Sequence, residues 1–129
     1  TLLLLLALWV GLTACGAATS AAGGAAAGFT DLPAAQTIEV RADPRGRLAW
    51  ERAECAAVAG DVTFVVSSPP GIAHNFAVSG AGVKARSKPF NGGTTNRFTL
   101  KGLAPGTYQI ACTLPGHREG GMVATLIAR

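Results

Sequence analysis

Cys112-Thr113-Leu114-Pro115-Gly116-His117-Arg118-Glu119-Gly120-Gly121-Met122 sets a thiol, an imidazole and a thioether on one short segment. Four residues separate Cys112 from His117, and four more separate His117 from Met122. Pro115, Gly116, Gly120 and Gly121 interrupt any helix or regular strand across it. The segment reads as a tight loop that folds three side chains back toward one point. Those side chains are soft or borderline ligands, the types that suit copper.

Strand signals flank the loop on both sides. Tyr108 to Ala111 enters it and Val123 to Ala128 leaves it. Upstream, Ile38 and Val40 alternate with polar neighbours, as do Phe98 and Leu100, and Leu48 and Trp50 flank Ala49. Val62 to Val66 is a β-branched run that suits a strand buried on both faces. Phe76 and Val78 mark another strand within Asn75 to Ser79. Asp43-Pro44, Gly60-Asp61, Ser68-Pro69-Pro70-Gly71, Asn91-Gly92-Gly93 and Pro105-Gly106 punctuate these runs. Short strands divided by Gly and Pro predict an all-β antiparallel sandwich or barrel. Ala53 to Ala59 is the one stretch open to either helix or strand. There are no internal repeats.

A metal held by three ligands on one loop lacks a fourth. The chain has two histidines, and the other is His74, between the Pro69-Pro70-Gly71 turn and the Phe76–Val78 strand. In a sandwich the two loops can meet at one end. His74, Cys112, His117 and Met122 then form the His₂Cys set with a weak axial Met that characterises blue-copper sites. Zinc fits less well, since Met is not among its usual ligands. Taken singly, His74 reads as structural, Met122 as core and Cys112 as a buried thiol. Together, in this order and spacing, they argue for one metal site.

Ala73-His74-Asn75-Phe76, the run Pro105-Gly-Thr-Tyr-Gln-Ile-Ala-Cys-Thr-Leu-Pro-Gly-His117 and Met122 resemble the cupredoxins, the family of plastocyanin, azurin and auracyanin. Val58 to Phe64 is also similar to the family strand before the first ligand loop. The resemblance covers residues 36–129. It implies a Greek-key antiparallel β-sandwich with one copper ion near one end. By position it makes Cys112 the thiolate that gives blue colour, His74 and His117 the other equatorial ligands, and Met122 the long axial one. It makes Asn75 the residue that hydrogen-bonds across to the Cys loop, outside the ligand set. It places His117 near the surface, among Pro70, Ile72, Leu114 and Pro115, as the exit for the electron. Arg118 and Glu119 depart from the small or apolar residues found there in many relatives.

The 129 residues support one domain. The chain opens on Thr1 rather than Met, as expected for a piece of a precursor. Leu2 to Leu12 is apolar and uncharged, too short for a spanning helix of roughly 20 apolar residues. It suits the core of a secretory signal. Leu12-Thr13-Ala14-Cys15 resembles the bacterial lipoprotein signal, which makes Cys15 the expected lipid-bearing residue; a plain signal peptide or a retained anchor are the alternatives. Residues 1–15 are therefore read as signal, 16–35 as an Ala/Gly-rich tether and 36–129 as the copper domain. A flexible tether of about 20 residues reaches on the order of 25 Å.

Cys55 is left without an obvious partner and is expected to be a buried apolar thiol. A Cys55–Cys112 disulfide would abolish the metal site. Net charge is +4, and no acidic residue lies between Asp61 and Glu119. Lys84, Arg86, Lys88, Arg97, Lys101 and Arg118 fall in that stretch. A solvated basic face is the plainer reading and a docking patch for an acidic partner the sharper one. The block lacks the aromatic interleaving of a nucleic-acid binder.

With every strong ligand position filled by protein, no place remains for a substrate, which argues against an enzyme. The expected function is one-electron transfer by Cu(I)/Cu(II) at the cell envelope, by a lipid-anchored monomer on the periplasmic or outer face of the membrane. Expected partners are transient redox proteins, of cytochrome or copper-oxidoreductase type. The alternatives are an envelope copper-binding or delivery protein using the same ligands, and a metal-free adhesive sandwich. Delivery sites favour several exposed methionines, and this chain has one Met.

Overall fold

Alternation in the sequence becomes alternation in burial. In a computed structural model, which describes residues 36–129, Ile38 and Val40 turn inward from β1 (Gln36–Arg41) and Val62, Phe64 and Val66 from β3 (Gly60–Ser67). Leu100 and Leu103 turn inward from β6 (Thr95–Leu103). These three strands form one sheet in the order β1-β3-β6. The second sheet has the order β2-β8-β7-β4-β5, from β2 (Glu54–Ala57), β4 (Ala77–Gly80), β5 (Val83–Arg86), β7 (Gly106–Ala111) and β8 (Val123–Ala128). The described chain is all-β and forms the expected sandwich. Val78, Tyr108, Ile110, Ala124 and Leu126 face the first sheet across a common core.

Aromatic rings meet within that core. The Phe64 and Phe76 rings lie 4.9 Å apart between centroids, and Phe98 meets Phe76 edge-on at 5.5 Å. Trp50 meets the other side of Phe76 at 5.9 Å. Tyr108 anchors the start of β7 by donating its hydroxyl to the Ala104 carbonyl at 2.8 Å.

Several expectations need correction. The pairs β3·β6, β4·β5, β4·β7 and β7·β8 are antiparallel, but β1·β3 and β2·β8 are parallel. The chain leaves β1, contributes β2 to the opposite sheet and only then returns, so β3 runs in the same direction as β1. Val62 to Val66 is fully buried on one face only, because its other face is the half-buried outer face of a sheet that nothing covers among the described residues. Leu48 to Trp50 is no strand; Trp50 makes an isolated bridge with Ala42. Ala53 to Ala59 resolves as the short strand β2. Strand β5 was not foreseen. It follows β4 through the two-residue turn Ala81-Gly82, whose φ angles of 44° and 82° are those of a primed hairpin turn.

Cys55 is buried on β2 at 2% exposure, as expected, but it is disulfide-bonded rather than an idle thiol. Sequence spacing does not show which sulfurs a fold brings into bonding distance. Cys112 is free, so the bond spares the metal-binding loop. No helix among the described residues is long and apolar enough to cross a membrane. The expected signal, lipidation at Cys15 and tether lie outside the described residues.

Candidate metal centre

Two loops at the same end of the sandwich carry the predicted ligands. The first leaves β3, turns through Pro69 to Gly71 and reaches His74, which exchanges backbone hydrogen bonds with Phe90 at 3.0 and 2.8 Å. This bridge fixes His74 before the chain enters β4. The second loop joins β7 to β8. Its closure is local: Cys112 N–H donates to the Met122 carbonyl at 3.1 Å, and Met122 N–H to the His117 carbonyl at 3.0 Å. His117 N–H donates to the Leu114 carbonyl and Gly120 N–H to the Gly116 carbonyl, so the glycines and Pro115 are coiled into successive turns.

The result brings His74, Cys112 and His117 together, with one possible ligand atom from each within 4.8 Å of the others. Cys112 Sγ lies 3.4 Å from His117 Nδ1, and His117 Nδ1 lies 3.3 Å from His74 Nδ1. Nitrogens about 2.0–2.1 Å from a common metal stand roughly 3.3–3.6 Å apart at tetrahedral-to-trigonal angles. The spacing therefore fits one first-row ion between them. Met122, fully buried, is joined through its backbone to both Cys112 and His117. The set of two imidazoles, one thiol and a neighbouring thioether is that of a single type 1 copper site.

Asn75 behaves as the sequence predicted. Its side chain bridges the two loops, accepting from Thr113 N–H and donating to Thr113 Oγ1, both at 2.7 Å. Its backbone N–H also points at the Cys112 sulfur, at 3.4 Å.

Burial differs across the site. His74 is 2% exposed, whereas His117 is half-buried; of the apolar residues expected around it, Ile72 and Leu114 are half-buried and Pro70 and Pro115 exposed. Burial, with a smaller contribution from His117, pushes the His74 pKa below its ordinary 6.5, favouring the neutral ring that binds metal. Sequence reasoning missed the wall around His74. Trp50 and Phe90 lie 6.4 and 6.5 Å from its ring, on opposite loops. Trp50 is distant in sequence, and its indole N–H is buried without a hydrogen-bond partner among the described residues. Only its isolated large apolar ring among turn residues hinted at a packing role.

The Sulfocyanin (SoxE) domain family matches residues 63–129, just over half the chain and the part that contains every predicted ligand. Among curated proteins, none matches by sequence. Solved structures are similar over most of the chain. Auracyanin B is 26% identical with a TM-score of 0.65, covering 77% of this chain and 91% of its own. Dithionite-reduced auracyanin from Roseiflexus castenholzii is 25% identical with a TM-score of 0.60, covering 72% and 96%. Auracyanin A, a "blue" copper protein from Chloroflexus aurantiacus, shares the fold at 22% identity and a TM-score of 0.58, covering 74% and 99%. With the donor set and the sandwich in agreement, the chain belongs to the Sulfocyanin (SoxE) domain family, within the blue-copper cupredoxins.

Proposed function

We propose that the chain is a one-electron carrier of the cell envelope, holding one copper ion through His74, Cys112, His117 and Met122. The observation that carries this reading is the donor cluster itself, three ligand atoms within 4.8 Å of one another at the end of a strand-pinned sandwich. Bound copper supplies a single electron by moving between Cu(I) and Cu(II). The protein's part is to keep the ligands still. His74 is held by the Phe90 bridge and the Trp50 ring, Cys112 by the hydrogen bond from its backbone N–H to the Met122 carbonyl, and the two loops by Asn75. Ligands that need not move between redox states keep reorganisation small. Half-buried His117 gives the site its contact with the surface, and Leu114 and Pro115 on the same loop supply apolar side chains for a brief encounter.

The carrier works beside the membrane in this reading, as an exported protein, and its partners are transient redox proteins. The same ligands would serve copper delivery, and one experiment separates the two. The copper-loaded chain is cycled by voltammetry in the presence of a Cu(I) chelator. A carrier gives a reversible one-electron wave and retains its metal; loss of copper to the chelator on reduction would establish delivery instead.

A further inference from the structure

Six cations of the acid-free stretch 62–118 are dispersed in sequence, but the fold does not leave them dispersed. Lys101 is drawn onto Asp61 at 2.7 Å. Lys84, Arg86 and Arg118 instead line one groove of about 550 Å³, with Ala77 and Ala111 supplying its apolar floor and Thr113 closing one side. No acidic residue lines it, and none of the three cations has a carboxylate within ion-pair distance among the described residues. Arg118 is folded back by a hydrogen bond from its Nη2 to Gln109 Oε1 on β7, which fixes its charge beside the groove. Lys84 and Arg86 project from β5, the last strand of its sheet. Glu119, the acidic neighbour of Arg118, is not part of the lining.

Thr113 ties this groove to the metal centre. It directly follows Cys112 and is bonded twice to Asn75, whose amide faces the Cys112 sulfur. A partner seated in the groove therefore touches the chain next to the thiolate. We propose that this groove docks an acidic, extended segment of the redox partner. The proposal rests on the electron-transfer reading for the identity of the partner. Its chemistry rests on charge complementarity: three unneutralised cations over an apolar floor call for carboxylates on a narrow segment. A concave site of this volume fits a peptide better than the plane of a membrane. Exposed charges at such a rim act mainly on encounter and are screened within about 10 Å at moderate salt.

The test uses the full chain loaded with Cu(I), hexaglutamate as the acidic probe, and vesicles of equal phosphatidylglycerol and phosphatidylcholine as the competing surface. Backbone amide NMR is expected to show hexaglutamate shifting residues 83–86, 113 and 118, with affinity falling as salt rises. Lys84→Gln/Arg86→Gln is expected to weaken binding about fivefold, as two rim charges should. Arg45→Gln/Arg97→Gln removes the same net charge elsewhere and is expected to leave affinity within about twofold. Equal weakening by both pairs, shifts outside the groove, or vesicle binding at the groove without hexaglutamate binding would each overturn the proposal. The two readings fail separately: a blue, electroactive protein blind to hexaglutamate sinks the groove alone. A colourless copper protein that still binds it there sinks the carrier and leaves an acidic-segment site.

Discussion

The backbone amide of Asn75 donates to the Cys112 sulfur at 3.4 Å, while the Asn75 side chain holds Thr113 by two bonds of 2.7 Å. One residue thus binds both the first ligand loop and the thiolate of the second. Asn75→Ala keeps the amide but removes the bridge, leaving Thr113 N–H to find water. The expected loss is about 1–3 kcal/mol of stability. Chemical denaturation measures it, and the Cu(II) absorption should shift as the sulfur loses its fixed position. Wild-type stability with an unchanged spectrum would show that the bridge is idle.

Met122→Leu is close to volume-conserving, so the core that encloses Met122 should hold. The substitution removes a donor that favours Cu(II). Copper should be retained and the reduction potential should rise, as read by voltammetry. An unchanged potential would mean that Met122 fills space without acting as a ligand.

Ala81 adopts φ 44° in the turn joining β4 to β5, a conformation that costs an L-residue with a Cβ on the order of 1 kcal/mol. Asn accepts this region more readily. Ala81→Asn should therefore raise stability by up to about 1 kcal/mol and lift the melting temperature. A lowered melting temperature would contradict the turn geometry, and with it the placement of β5 beside the groove.

Asp43 accepts hydrogen bonds from Arg45 N–H and from two nitrogens of Arg47, and its turn sets up the Ala42–Trp50 bridge. The Arg47 hydrogen bond holds its pKa below the ordinary 3.8. A carboxyl with a depressed folded-state pKa stabilises the fold above the unfolded value, and that contribution is lost as pH falls through the folded value. Asp43→Asn should thus melt below the native chain near neutral pH, with the gap closing on acidification below 3.8. A gap that stays constant across that window would leave the ion pair without a role.

The metal centre was legible because its logic is local. Cys112, His117 and Met122 share one loop, and proline and glycine there announce a turn. His74 was found because the chain has only one other histidine, and Asn75 through its place in a family motif. The alternating strands β1 and β6 were equally plain, as was the closing apolar run of β8. What escaped depends on contacts distant in sequence. β2 and β5 are four residues each, and the polar alternation of Val83 to Arg86 resembles a loop until an edge position is available. The parallel pairs follow from the route of the chain between sheets. The rings of Trp50 and Phe90 around His74, and the convergence of Lys84, Arg86 and Arg118, exist only once the strands are stacked. The disulfide at Cys55 is likewise a matter of three-dimensional approach.

The most direct test of the account is a copper titration of the chain followed by visible absorption, beside Cys112→Ser. The account predicts an intense blue thiolate-to-Cu(II) band that saturates at one copper per chain and is absent from a folded Cys112→Ser protein. A colourless copper-loaded chain, or a band that survives in Cys112→Ser, would contradict it.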